Sequence, residues 1–166
     1  PLEDIGKIAR EKNLWYHIDA AYGGFFMLSN ELKSAFRGTE LSDSIAIDPH
    51  KGLFLSYGIG AILIKNTKAL YQTNHYTANY MQDAYNINED PSPADLSPEL
   101  TKHFRGLRMW ISLQLLGVAP FRAALEEKIL LCNYFYEDIQ KLGFDVVLSP
   151  EWSITTFRYV SKTGHA

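Results

Sequence analysis

Five residues with reactive side chains follow two apolar segments of the chain. His17 and Asp19 stand at the end of "LWYHID", and Asp48, His50 and Lys51 follow "SIAI". Both segments have the aromatic and β-branched composition of strands. Ligands of open α/β sheets bind outside the carboxyl ends of the strands, and parallel neighbours place those ends side by side. The spacing therefore predicts one site with an aspartate, a lysine and up to two histidines.

A lysine in such a place can do covalent chemistry. At a crowded strand end, desolvation lets it lose its proton and act as a nucleophilic amine, which can form a Schiff base with an aldehyde cofactor. Pyridoxal phosphate (PLP) is held by such a lysine and commonly has an aspartate against its pyridine nitrogen. Lys51 and Asp19 have the required types, and the small residues of "AAYGG" beside Asp19 allow a ring to approach the backbone closely.

Other interpretations of the same residues remain open at this point. Asp-Pro-His-Lys alone is also compatible with an exposed turn that has no chemistry, and His17 with a packed strand histidine. A metal site is a further alternative, because the two histidines and two aspartates are all plausible ligands. A metal site would leave Lys51 unexplained and would place a cation beside it.

The elements that must position these residues alternate between helix and strand in the first part of the chain. Residues 3–12 have helical periodicity, and residues 14–18, 44–48 and 60–65 have the composition of strands. The third strand, "GAILIK", is continuously apolar and is predicted to be buried on both faces. This alternation predicts an α/β fold.

The second part of the chain has a different organisation. Residues 73–96 lack an apolar period and are predicted to form a functional loop. Ser97-Pro98-Glu99 predicts a helix start, and this helix is expected to end at Gly117. A long amphipathic helix with Gly143 as its C-cap follows, and two antiparallel strands are predicted after it. The change of pattern predicts a domain boundary near residue 118.

The composition limits the possible settings. The chain has 166 residues, 46% of them hydrophobic, a net charge of −3 and one cysteine. The hydrophobic content is sufficient for a core, and a single cysteine excludes an internal disulfide framework. The mild charge indicates neither nucleic acid nor an anionic membrane surface as a partner. No apolar run is long enough to span a bilayer, so a cytoplasmic location is predicted. Because the sequence begins within an α/β pattern, we expect it to be a fragment of a longer protein.

Three motifs together resemble a known family. "HIDAAYGG", "SIAIDPHKG" and "FRGLRMW", in this order and spacing, resemble the group II PLP-dependent amino-acid decarboxylases, which include the aromatic-L-amino-acid, histidine and glutamate enzymes. The resemblance covers nearly the whole chain. It implies part of the fold-type I large domain over residues 1–117 and the beginning of a small α+β C-terminal domain over residues 118–166.

The resemblance also implies roles for individual residues. Lys51 would form the Schiff base with PLP, and Asp19 would pair with the pyridine nitrogen. His50 would lie near the cofactor phosphate, and His17 and Ala21 would line the cofactor pocket. The family's phosphate-binding turns and its ring-stacking histidine would lie upstream of residue 1.

The segment 73–96 would correspond to the family's mobile catalytic loop, which carries a tyrosine that protonates the substrate carbon after carbon dioxide leaves. Tyr80 matches that tyrosine best by its distance from "FRGLRMW", and Tyr76 is the alternative. Lys51 is a second candidate for the same proton transfer. Arg105 falls on a family arginine near the active site.

The implied activity is that of a carboxy-lyase of the EC 4.1.1 type, which converts an L-amino acid to an amine and carbon dioxide. The resemblance further implies a homodimer with each active site at the interface. Two alternatives remain: another fold-type I enzyme, such as an aminotransferase or a desulfurase, and a catalytically inactive fragment.

Overall fold

The computed structural model describes residues 1–75 and 92–160. Within these residues, helices and strands are interspersed as far as the third strand of the sheet. The regular elements after that strand are helices. The elements, in chain order, are α1 (Leu2–Glu11), β1 (His17–Asp19), β2 (Ser44–Ile47), α2 (Pro49–Gly52), β3 (Ala61–Ile64), α3 (Thr67–Asn74), α4 (Arg105–Leu116) and α5 (Ala119–Lys141). Short 3₁₀ helices between β1 and β2 cover Gly24–Leu28, Lys33–Phe36 and Thr39–Leu41. No helix among these is long and apolar enough to cross a membrane.

The backbone separates into two units, Pro1–Leu115 and Leu116–Ala166. The first contains the sheet and all residues predicted to carry chemistry, and the second contains α5. Their assignment to a large PLP-binding domain over 1–117 and a small domain over 118–166 stays a prediction.

A small mixed sheet organises the first unit. Its strand order is β1-β2-β3, with β1 parallel to β2 and β3 antiparallel to β2. In the parallel pair, His17 is opposite Ser44 and Asp19 is opposite Ala46. The predicted parallel pairing is therefore confirmed, and it places the carboxyl ends of the two strands together.

The helix α1 packs on one side of β1. Ala9, Tyr16 and Ile18 form the buried cluster there, because alternation along the strand turns Ile18 inward and leaves its two neighbours exposed. The Tyr16 hydroxyl donates a hydrogen bond to the Leu2 carbonyl over 3.1 Å. The backbone N–H of Tyr16 donates to Asp43 Oδ2 over 2.8 Å, which attaches the start of β1 to the start of β2.

The helix α2 that carries Lys51 is held against the 3₁₀ helix after β1. A Cβ atom added at Gly52 would lie only 2.8 Å from Phe25 Cβ, so no larger residue fits without displacement. Phe25 and Leu53 are buried, the latter with 1% of its surface exposed. This close approach places α2, and with it the Lys51 backbone, against the segment that follows β1.

Two predictions about elements were wrong. Ile62 and Leu63 of β3 are 57% and 56% exposed rather than buried, since β3 is an outer strand of the described sheet. The helix expected from Ser97 begins instead at Arg105. The Ser97 hydroxyl donates to the Pro93 carbonyl over 3.2 Å and contacts Lys102 Nζ, and so it does not cap a helix.

The predicted loop 73–96 begins later than expected. Residues 73 and 74 belong to α3, whose first turn is capped by Asn66 Oδ1, which accepts from the N–H groups of Lys68 and Ala69. The Asn74 side chain donates to the Leu70 carbonyl over 3.0 Å and continues the helical bonding to its last residue. Residues 76–91 lie outside the described part of the chain.

The second unit consists of α5 and the segment that follows it. The buried residues of α5 occupy one helical stripe: Phe121, Leu125, Cys132 and Ile139. The predicted antiparallel pairing after the helix is present at two bridges, Asp145 with Arg158 and Glu151 with Ile154, rather than along continuous strands. Gly143 has a φ of 84°, in agreement with its predicted C-cap role.

We expect Gly52→Ala to destabilise the fold by about 1–3 kcal/mol, the usual cost of overpacking a well-filled contact. Gly106→Ala is the matched control. A Cβ there meets only Phe104 at 3.8 Å, and alanine favours the helix α4. Urea unfolding monitored by circular dichroism measures both, and equal midpoints for the two variants would contradict the close contact.

Candidate active site

The ends of β1 and β2 meet at one edge of the sheet. Pairing continues one residue beyond β1, because the Ala20 N–H donates to the Ala46 carbonyl over 2.9 Å. Asp48 follows β2 with extended backbone, and α2 begins directly at Pro49, the residue type favoured at a first helical position. The structure thus brings the Asp19 and Lys51 segments together, as the spacing predicted.

The Lys51 amine is paired with Asp48. Nζ lies 2.7 Å from Asp48 Oδ2, and the side chains are 43% and 20% exposed. The hydrogen bond to Asp48 raises the pKa of Lys51, and the charges of Asp48 and Asp19 add to the effect. Because the pKa is raised on folding, the pair contributes to stability below the ordinary lysine pKa and loses that contribution as the pH rises through the raised value.

The His50 ring is held by a hydrogen bond to the backbone of Ile59. Its Nδ1 donates to the Ile59 carbonyl over 2.6 Å, since a carbonyl can only accept. Its Nε2 lies 4.0 Å from Asp48 Oδ2, and the Tyr57 ring packs edge-on at 5.2 Å between centroids. With Nδ1–H committed to Ile59, Nε2 can donate to an anion only in the imidazolium form. The placement of His50 near a cofactor phosphate stays a prediction.

Asp19 presents one carboxylate oxygen without a hydrogen bond. Its Oδ1 accepts from the N–H of Ala21 over 3.1 Å, which orients the carboxylate at the strand end. Within the described residues, Oδ2 has no hydrogen-bond partner. The Asp19 side chain is exposed and lies on the same side of β1 as His17. Such an oxygen can accept a hydrogen bond from a protonated ring nitrogen.

His17 is held by a buried hydroxyl group. Ser44 Oγ lies 2.7 Å from His17 Nδ1 and accepts the indole N–H of Trp15 over 2.9 Å. Ser44 is only 4% exposed, so its own proton needs an acceptor, and in the described residues His17 Nδ1 is the one within reach. Neutral His17 then carries its proton on Nε2.

Sequence reasoning missed Ser44 and Trp15. A signal was present: Ser44 is a polar residue at the start of an otherwise apolar strand, and Trp15 shares the alternating face of His17. The link between the strands required the register, which pairs His17 with Ser44. The roles of His17 and Ala21 in lining a cofactor pocket stay predictions.

The "FRGLRMW" motif begins α4. Arg105 forms a two-pronged ion pair with Glu99, with distances of 2.5 and 3.1 Å, and this pairing raises the pKa of Arg105 and lowers that of Glu99. Arg108 Nη1 donates to the Tyr57 carbonyl over 3.4 Å, which connects the motif with the segment that follows Lys51. A role for Arg105 near the active site stays a prediction.

The two candidate tyrosines, Tyr76 and Tyr80, lie outside the described residues. The residues on either side of that segment are linked. His75 Nδ1 is 2.9 Å from Oδ1 of Asp95, whose Oδ2 accepts the Ser92 N–H over 3.0 Å. The Tyr71 ring stacks on His75 at 4.4 Å. Residues 75 and 95 are therefore held close together.

The donor set at the strand ends fits PLP better than a metal. In residues 1–75 and 92–160, no three or more histidine, cysteine or acidic side chains are arranged to hold a metal ion. Lys51 offers an amine, Asp19 a carboxylate oxygen without a hydrogen bond, and the intervening "AAYGG" offers small side chains. These are the groups that a pyridoxal aldehyde and its pyridine nitrogen require.

A parallel strand pair followed by this aspartate and this lysine fits the PLP-binding fold of the fold-type I class. The profile of the pyridoxal-dependent decarboxylase conserved domain matches residues 1–160. The chain belongs to the pyridoxal-dependent decarboxylase family, whose cofactor is PLP.

The chain is similar in sequence to two named decarboxylases and in fold to a solved structure. The chain is 31% identical over 161 residues to the aromatic-L-amino-acid decarboxylase of Bacillus atrophaeus, with 96% of this chain and 34% of that protein covered. It is 33% identical over 164 residues to the L-2,4-diaminobutyrate decarboxylase of Acinetobacter baumannii, covering 98% and 32%. The crystal structure of mouse CSAD in apo form matches with a TM-score of 0.82 and 27% identity, covering 98% and 34%. The chain thus spans about a third of the length of the relatives it matches.

We expect Ser44→Ala to change the tautomer of His17, because the variant removes the hydroxyl that bonds to Nδ1. Long-range proton–nitrogen NMR spectra of the imidazole ring measure which nitrogen carries the proton. Ser42→Ala is the matched control, since this equally buried serine donates to the Thr39 carbonyl instead. An unchanged His17 spectrum in Ser44→Ala would contradict the assignment.

Proposed function

We propose that the protein to which this chain contributes decarboxylates an L-amino acid with PLP, releasing an amine and carbon dioxide. The observation that carries the proposal is the parallel pairing of β1 with β2, which brings the Asp19 and Lys51 segments to one edge of the sheet, within a family match over residues 1–160. Decarboxylases of aromatic amino acids and of L-2,4-diaminobutyrate are among the relatives, which supports an L-amino acid as the substrate class.

Each proposed role follows from chemistry available at one atom. Lys51 Nζ would hold the cofactor covalently, and Asp19 Oδ2 would accept a hydrogen bond from its ring nitrogen. Bound PLP supplies an electron sink for the pair of electrons released when the carboxylate leaves. Asp19 would keep the ring nitrogen protonated, which an opposite charge at hydrogen-bond distance favours.

Proton return to the substrate carbon needs an acid near the strand ends. Lys51 would hold such a proton at Nζ once it is released from the cofactor, and Asp48 favours the charged form of this amine. Tyr80 is the second proposed donor, with Tyr76 as the alternative to it. His17 would line the pocket with its Nε2–H, and Ala21 would orient Asp19 through its backbone N–H.

We also propose that the protein acts as a cytoplasmic homodimer. Large apolar side chains on and before α4 support a partner surface, since Phe104, Trp110 and Leu115 are 78%, 59% and 77% exposed. Analytical ultracentrifugation tests the dimer. A concentration-independent monomer of the intact protein would contradict it.

We expect Lys51→Ala to lower the turnover of the intact protein by at least about 100-fold, the low end of what one positioned proton-transfer group contributes. Loss of the covalent anchor adds to this effect. Release of carbon dioxide and amine from candidate L-amino acids measures it. Lys68→Ala is the control, because Lys68 is exposed on α3. Full activity in Lys51→Ala, or a keto acid as the product, would refute the proposed reaction.

A further inference from the structure

The amine of Lys51 is paired with the carboxylate of Asp48, three positions before it in the chain. Nζ and Asp48 Oδ2 are 2.7 Å apart, which is the distance of a charge-assisted hydrogen bond. The two residues are three positions apart at the start of α2, so one helical turn brings them to the same side. The contact therefore belongs to the local fold around Lys51.

The Asp48 carboxylate is itself confined. Its Oδ1 lies 2.9 Å from where a Cβ would stand on Gly60, so the absence of a side chain at that position makes room for it. Its Oδ2 is 2.7 Å from Lys51 Nζ and 4.0 Å from His50 Nε2. The carboxylate makes no capping hydrogen bond to α2, although Asp48 is the N-cap residue. Its contacts are thus with the site and not with the helix backbone.

We propose that Asp48 is a positioning residue that holds Lys51 as a paired ammonium group, which must separate from Asp48 before the amine can bond to an aldehyde. This inference rests on the proposed function in one respect, the assignment of Lys51 as the covalent anchor. The pair itself can be tested without any cofactor.

The covalent step shows why the pair matters. The ammonium first releases a proton to solvent, and the free electron pair on nitrogen then forms a bond to the aldehyde carbon. The carbonyl oxygen would leave as water, in a balance that takes the two hydrogens of the neutral amine, and nothing is oxidised or reduced. Asp48 opposes the first event, because it stabilises the charged amine and lowers the fraction of Lys51 that is neutral at a given pH.

Other groups act on Lys51 in the same direction. Asp19 from β1 and Tyr57 from the segment after α2 both favour the charged amine, and the hydrogen bond to Asp48 is the largest contribution. His50 Nε2 lies 4.0 Å from the same oxygen, Asp48 Oδ2, and would compete with Lys51 for it when protonated. Removing the Asp48 charge alone should therefore lower the pKa of Lys51, while the weaker effects of Asp19 and Tyr57 on that pKa remain.

The test is the pH profile of Lys51 reactivity in the full chain without cofactor. Trace acetic anhydride modifies neutral amines, and mass spectrometry of the peptides gives the rate at each lysine as the pH rises. We expect Asp48→Asn to raise the Lys51 rate about two- to fivefold at neutral pH, the range that an exposed ion pair supports. The Lys51 profile should move to lower pH as a whole, which a change in accessibility alone would not produce.

Lys7 is the internal control, because it forms a comparable ion pair with Glu3 at 2.8 Å in α1 and its rate should not change. Asp48→Ser provides the same test if Asp48→Asn does not fold. An identical Lys51 profile in the parent chain and a folded Asp48 variant would overturn the inference. That result would leave the decarboxylase proposal intact, since the activity of Lys51→Ala tests it separately.

Discussion

The parallel pairing of β1 with β2 is the interaction on which the rest of the site depends. It sets Asp19 opposite Ala46 and continues with the hydrogen bond from the Ala20 N–H to the Ala46 carbonyl. The segments that follow the two strands therefore leave the sheet at the same edge. A slip of one residue would reverse the faces of β1 and turn Ile18 outward. The buried cluster beneath Ile18 opposes that slip, and core packing therefore also specifies the position of the reactive groups.

Two carboxylates lie near one amine at this edge, and their surroundings differ. Asp48 is partly buried and bonds directly to Lys51, whereas Asp19 is exposed, is oriented by the Ala21 N–H and keeps one oxygen without a hydrogen bond. The first favours the charged form of the lysine, and we propose that the second accepts a hydrogen bond from the ring nitrogen of PLP. Ser44 adds a third control, since its buried hydroxyl determines which nitrogen of His17 carries the proton.

Much of this arrangement could be predicted because it depends on local patterns. The periodicity of α1 and α5 and the strand character around His17 and Ser44 are visible in short windows of sequence. The start of α4 could not be predicted in this way, because the Ser97 hydroxyl has nearby alternatives to capping. The exposure of β3 was also not predictable, since a continuous apolar run does not reveal whether a strand lies at the middle or the outside of a sheet.

The sequence by itself determined which reactive residues stand at the strand ends and, through three ordered motifs, the family to which they belong. Side-chain type and spacing along a strand are properties of the sequence, so they can be read without a structure. Only the tertiary structure decided that Lys51 bonds to Asp48 and that Ser44 joins His17 to Trp15. Both contacts depend on distances of less than 3 Å. Such distances follow from the short helix after Asp48, the space left by Gly60 and the register of two strands.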